Sequence, residues 1–192
     1  MKIFSIVGAR PQFIKLAPLS SALAGQHEEI IVHTGQHYDY AMSEKIFIDL
    51  EIREPDIHLE INGNGPTAQI TQMMLMLESA MLKFKPDLII VFGDTNSTLA
   101  VAMIAAKLNI PIVHIEAGLR SYNRSMPEEI NRIVTDHVSK YLFAPTQTAV
   151  DILHKEGLGD KTSFTGDIMV DTMKNNLKIA LKKSSIIDEL KL

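Results

Sequence analysis

Five groups that could do acid–base or anion chemistry stand at the carboxyl ends of short apolar runs: Arg10, the Gln36-His37 pair, Asp94, Glu116 and Asp167. A carboxylate moves protons and an arginine holds an anion, so residues of this kind on one rim could serve a single ligand. The densest stretch is 116–132, where 17 residues hold three glutamates (116, 128, 129) and three arginines (120, 124, 132). A solvated surface loop could carry the same charges idly. Position argues against that reading. Glu116 closes the apolar run Pro111-Ile-Val-His-Ile115, and in parallel α/β sheets ligands sit beyond the carboxyl ends of strands.

The elements that must position these groups follow from periodicity. Short apolar strands are expected at 2–7, 29–34, 87–92, 111–115, 140–144 and 162–165, with an alternating edge strand at 57–61. Helices are expected at 11–24, 40–50, 66–84, 97–108, from Pro127, at 146–156 and over 168–192. Pro11, Pro66 and Pro127 suit a first helical turn, Glu128 and Glu129 add acid there, and Thr146 is a ready cap. Strands alternating with helices imply a mostly parallel sheet covered on both faces, an α/β Rossmann-like doubly wound fold. The 97–108 helix is apolar nearly all round, which buries it between neighbours.

Composition narrows the chemistry. The 192 residues include no cysteine, which excludes disulfides, thiolate nucleophiles and Cys-ligated zinc. A net charge of −4 gives no basic field for nucleic acid. No apolar run is long enough for a membrane span, and Met1–Val7 is too short for a signal peptide, so a cytoplasmic protein is expected.

Each candidate has a structural alternative. Asp94 could cap the 97–108 helix. Arg10 and Lys15, near a helix start, could bind an anion or form a solvated face. His33 and His37 are four apart across a strand end and a turn, where that spacing does not make a metal pair, so no metal site is expected. His114, in an apolar strand, reads as a satisfied core histidine. Met73, Met74, Met76 and Met81 read as packing. Gly63-x-Gly65-x-x-Ala68 matches a dinucleotide fingerprint formally, but the alternating strand before it does not fit. The 66–84 helix carries Leu75, Met76 and Leu82 off its main apolar stripe. Together with the 97–108 helix it is expected to form a two-fold homodimer interface.

Taken together, Gly8-Ala-Arg-Pro-Gln-Phe-Ile-Lys15-Leu-Ala-Pro18, His33-Thr-Gly-Gln-His37, Gly93-Asp-Thr-Asn96, His114-Ile-Glu-Ala-Gly-Leu-Arg120 and Met126-Pro-Glu-Glu-Ile-Asn-Arg132 resemble the non-hydrolysing UDP-N-acetylglucosamine 2-epimerase family. The resemblance runs from Met1 to about Asp171. It implies the N-terminal domain of a glycosyltransferase-B-like architecture, here 1–167, with 168–192 leading to a second domain absent from the chain. It implies interconversion of UDP-GlcNAc and UDP-ManNAc for surface polysaccharide synthesis, by elimination and re-addition of UDP with no cofactor. By motif, Asp94, Glu116 and Glu128 are the catalytic carboxylates, and which one is the base stays open. Arg10, Lys15 and Arg132 are the substrate-binding cations, and Gln36 and His37 are the candidates for an allosteric site.

Three departures accompany the resemblance. The chain is about half the family's length, so activity of this half alone is expected to be low. Gly166-Asp167-Ile168 and Gly8-Ala9-Arg10 also fit relatives acting on UDP-2,3-diacetamido-glucuronic acid, which leaves the sugar open. A nucleotide-sugar-binding module that needs a partner chain is the alternative to an enzyme. Asp39 follows Gln36-His37-Tyr38 where some members carry glutamine.

Overall fold

Runs such as Ile3-Phe-Ser-Ile-Val7 and Leu88-Ile-Ile-Val-Phe92 have apolar groups on both faces, so they need helices above and below. The computed structural model, which describes residues 1–35, 40–61, 65–183, 185 and 189–190, has that arrangement. Strands β1 (Lys2–Val7), β2 (Glu28–His33), β3 (Ile57–His58), β4 (Leu88–Phe92), β5 (Ile112–Ile115), β6 (Tyr141–Ala144) and β7 (Thr162–Phe164) form one sheet in the order β3-β2-β1-β4-β5-β6-β7. Every pairing is parallel. The helices between and after them are α1 (Arg10–Leu23), α2 (Tyr40–Asp49), α3 (Pro66–Phe84), α4 (Asn96–Lys107), α5 (Pro127–Val138), α6 (Gln147–Lys155) and α7 (Ile168–Lys183). This is an α/β Rossmann-like fold.

Alternate residues of each strand feed two cores. Phe4, Ile6, Val32, Ile89, Val91 and Ile112 meet Met73, Leu77 and Met81 of α3 and Ala100–Ala102 of α4. Ile3, Val7, Ile31, Ile90, Phe92 and Val113 meet Phe13 and Leu16 of α1 and Phe47 of α2. Met73 and Met81 are fully buried, as packing residues should be, and each such side chain contributes roughly 1.5–3 kcal/mol. On the second face α7 lies along α1, where Thr172 Oγ1 donates to the carbonyl of Ile14 at 2.8 Å.

Two expectations concern the sheet edge and α4. The edge strand at 57–61 shrinks to the two residues of β3, because only Val32–Ile57 and His33–His58 pair. Leu59 and Ile61 are still buried, beneath α3. The alternation there reported burial, which runs on past the last pairing bond, from the Leu59 amide to the His33 carbonyl at 2.8 Å. Second, α4 is flanked by α3 and α5, and its outer residues Ile104 and Leu108 pack on the core. That accounts for much of its all-round apolar sequence, with Leu99 and Met103 left half-buried. On α3, Leu75 and Leu82 remain exposed while Met76 packs against the core.

Candidate active site

The strand order reverses between β1 and β4, which opens a crevice at their carboxyl ends. Buried Gln12, in the first turn of α1, ties the two sides together. Its Oε1 accepts from the amides of Gly8 (2.8 Å) and Ala9 (3.1 Å), and its Nε2 donates to the Phe92 carbonyl (2.9 Å) and to Thr95 Oγ1 (3.0 Å). Nothing in local periodicity marks Gln12 for this role, because its partners lie 80 and 83 residues away. Arg10, just before it, is exposed at the start of α1 and makes no ion pair among the described residues.

Across the crevice the ammonium of Lys15 is paired with Glu116 Oε2. Lys15 is buried, and the Glu116 side chain is about three-quarters buried. The two meet beneath Gly93. A Cβ on that residue would stand 3.1 Å from Glu116 Oε2 and 3.5 Å from Lys15 Nζ, and its φ is +59°, so the turn requires glycine. Glu116 itself has φ +73°. Its amide and that of Ala117 both donate to the Phe143 carbonyl, at 3.1 and 3.0 Å, which fixes this left-handed turn.

The second pair is Asp94 with Arg132 of α5. Asn131 Nδ2 donates to the Asp94 carbonyl (2.9 Å) and to Asn96 Oδ1 (3.2 Å). Asp94 is not the cap of α4; Thr95 is, its Oγ1 accepting from the Thr98 amide at 3.3 Å. Arg132 Nη1 also reaches Glu129 Oε2 at 3.2 Å. Glu129 is 1% exposed and accepts from the Ser121 amide, Ser121 Oγ and the Tyr122 amide, each at 2.9 Å, clamping the 119–126 loop onto α5. Burial alone would raise its proton affinity. Those bonds and the Arg132 charge outweigh burial and hold the carboxyl below its ordinary range. Glu128, one residue earlier and so about 100° around the helix, is exposed and has no polar partner among the described residues. It stands four residues before Arg132, on the same helical face.

Behind these pairs lies a buried network. His114 Nδ1 is 2.6 Å from Asp136 Oδ1, and its Nε2 is 2.7 Å from the Gly93 carbonyl. His114 is thus the satisfied core histidine its strand suggested. Asp136 Oδ2 accepts from the Gly118 amide (3.1 Å) and from Arg120 Nη1 (2.7 Å). Arg120 makes a two-point contact with Glu156, through Nε at 2.9 Å and Nη2 at 2.7 Å. Burial opposes both charges. For Asp136, His114 and then Arg120 outweigh burial and hold the carboxyl below its ordinary range. For Arg120, Glu156 and Asp136 do the converse and raise it.

The rim is therefore partly assembled. Asp94 meets Arg132, Glu116 meets Lys15, and the two pairs sit on neighbouring strands, since Phe92 is in register with Ile115. Arg10 and Glu128 border this region without touching it. Asp167 takes no part: it caps α7, its Oδ1 accepting from the Met169 amide at 2.8 Å. Gln36 and His37, and Gly63 and Asn64 of the formal fingerprint, lie outside the described residues. Among the described residues no three His, Asp or Glu side chains converge as metal ligands. No described helix is long and apolar enough to cross a membrane.

A doubly wound parallel sheet with carboxylate–cation pairs near its switch point defines a Rossmann-like domain. Residues 21–191 match the family described as UDP-N-acetylglucosamine 2-epimerase. The chain belongs to that family. It is 52% identical to a UDP-N-acetylglucosamine 2-epimerase homolog of Methanococcus maripaludis, over 99% of this chain and 54% of that protein. It is 54% identical to the UDP-2,3-diacetamido-2,3-dideoxy-D-glucuronate 2-epimerase of Pseudomonas aeruginosa, over 90% of this chain and 50% of that one. The fold superposes on UDP-GlcNAc 2-epimerase of Methanocaldococcus jannaschii, solved with UDP-GlcNAc and UDP, with a TM-score of 0.93 at 44% identity, covering 97% of this chain and 52% of that one. The chain thus spans about half the length of the curated relatives it matches.

Proposed function

We propose that this chain is the N-terminal half of a UDP-sugar 2-epimerase, with residues 1–167 as one wall of the cleft and 168–192 leading toward a second domain. The observation that carries the reading is the pairing of Glu116 with Lys15 and of Asp94 with Arg132 on adjacent strand ends. Inverting C2 of a sugar requires proton removal on one face of the carbon and delivery on the other. In the proposed reaction a carboxylate takes the C2 proton. The C2 electron pair forms the C1=C2 bond as the C1–O bond breaks, and UDP leaves with that bond's electrons. A proton is then delivered to the opposite face of C2, and UDP oxygen re-attacks C1.

Asp94, Glu116 and Glu128 are the proposed acid–base set, with Arg10, Lys15 and Arg132 for the diphosphate. No redox step is needed, so no nicotinamide enters the scheme. UDP-GlcNAc is the first proposed substrate. The Pseudomonas aeruginosa relative, at 54% identity, supports UDP-2,3-diacetamido-glucuronate as a second. A cytoplasmic site, where nucleotide-sugars are made, and a role in surface polysaccharide synthesis go with this reading.

The test is hydrogen exchange at C2. Each UDP-sugar is incubated in deuterated water with the 192-residue chain and with a chain extended to the relatives' length. Deuterium at C2 and interconversion of epimers are expected from the extended chain, with little from the 192 residues alone. Half a cleft forfeits oriented binding, which can supply on the order of 7–11 kcal/mol of a barrier. Binding of UDP without exchange by the extended chain would favour a binding module instead. We further propose a homodimer through α3 and α4; on α3, Leu75 and Leu82 are exposed, 63% and 58%. Light scattering at tens of micromolar should give twice the monomer mass, and L75E/L82E should restore the monomer.

A further inference from the structure

His114 and Asp136 are both completely buried, yet neither belongs to the six proposed site residues. Their contacts reach every segment that carries a proposed catalytic carboxylate. His114 Nε2 is 2.7 Å from the carbonyl of Gly93, the residue before Asp94. His114 stands in β5 two residues before Glu116. Asp136 Oδ2 holds the Gly118 amide of the loop that follows Glu116, and Asp136 lies in α5 with Glu128 and Arg132. Carbonyl and carboxylate are both acceptors, so a hydrogen on each ring nitrogen satisfies the two contacts at once. A buried polar side chain bridging two turns fixes their separation, since losing either bond strands a buried acceptor.

Resting on the proposed epimerase reading, we infer that His114 is a positioning residue: its Asp136 and Gly93 contacts hold the Asp94 and Glu116 turns at their working separation. The Gly93 amide donates to the Ile115 carbonyl at 3.0 Å, directly beside the contact that His114 makes. A shift of the Gly93 carbonyl moves both the peptide that leads into Asp94 and the gap in which Glu116 meets Lys15.

The side-chain amides of asparagine and glutamine separate this role from mere packing. Asparagine places its polar atoms near imidazole Nδ1, so H114N retains the Asp136 contact and drops the Gly93 carbonyl. Glutamine, one methylene longer, places its amide near Nε2, so H114Q does the reverse. The test uses the whole 192-residue chain, with amide hydrogen exchange at Gly93, the carboxyl carbon resonance of Asp94 by NMR, and thermal stability. H114N should exchange at Gly93 roughly tenfold faster or more and shift the Asp94 resonance, whereas H114Q should return both toward wild type. Folded H114Q beside unfolded H114N supports the inference in the same way.

Equal behaviour of the two variants at Gly93 and Asp94, an unfolded H114Q, or lowered stability with both signals unchanged overturns it and leaves an ordinary core histidine. None of these readouts uses a UDP-sugar. A failed C2-exchange experiment would therefore refute the epimerase reading without touching this result.

Discussion

Replacing Asp136 by alanine should be among the most destabilising single changes in the chain. The carboxylate is fully buried and is shared by the Arg120 guanidinium, whose side chain is 1% exposed, the buried His114 ring and the Gly118 amide. Without it, Arg120 keeps Glu156 and the Leu119 carbonyl, but His114 Nδ1 and the Gly118 amide face a gap. Removing one partner of a buried ion pair costs about 3–5 kcal/mol. For a domain of this size each kcal/mol shifts Tm by about 2–4 °C, so D136A should melt roughly 6–20 °C below wild type at pH 7. Circular dichroism melts and urea titration measure it.

D136N adds the pH dependence. The folded state holds the Asp136 carboxyl below its ordinary range, so its ionisation contributes stability that is fully present above the unfolded value of about 3.9. That contribution is lost as pH falls through the folded value. The stability gap between wild type and D136N should therefore close in acid. A D136A loss below about 1 kcal/mol, or a gap that widens in acid, would refute charge compensation as the role of this network.

Gly93→Ala should cost about 1–2 kcal/mol for the left-handed backbone alone and also displace the Lys15–Glu116 pair, seen as a shifted Glu116 carboxyl resonance. Lys161 Nζ donates to the carbonyls of Asp136, His137 and Ser139 at 3.0, 3.0 and 2.8 Å, so K161M should uncap α5 and cost about 1.5–3 kcal/mol in urea titration. Gln12→Leu should leave two amides unpaired at the crevice, while the Phe92 carbonyl keeps Thr98 Oγ1, with faster amide exchange at Gly8 and Ala9 as the readout. In a chain extended to the relatives' length, D94N or E116Q should lower kcat roughly 100-fold or more with an unchanged circular dichroism spectrum. Near-normal turnover in either variant removes that residue from the acid–base set.

What the sequence exposes is whatever repeats at short range. Apolar strands ending in Gly93-Asp94 and Ile115-Glu116 put those acids on one rim, because strand direction in a parallel sheet follows from the alternation with helices. Contacts between distant segments leave no such trace. Gln12 sits in a quoted motif, yet its partners at Phe92 and Thr95 come near only once the sheet forms. By residue type and position in the helix start alone, Glu128 and Glu129 are equivalent, and only the motif separates them. Only the rotation of α5 buries the second under the 119–126 loop and leaves the first in solvent. The apolar excess of α4 allowed both a buried helix and an interface, and the flanking α3 and α5 account for the first.

Glu116 occupies backbone space that glycine fills at little cost and that a side-chain-bearing residue enters at a penalty of about 1–2 kcal/mol. E116G would relieve that penalty but leave the buried Lys15 ammonium without its partner, which costs about 3–5 kcal/mol, so the ion pair holds Glu116 in a conformation its backbone alone would not choose. Backbone preference and ion pairing pull in opposite directions at this residue, and the pairing outweighs the backbone. A library enriched only for thermal resistance should accept glycine at position 116 only together with a neutral side chain at position 15.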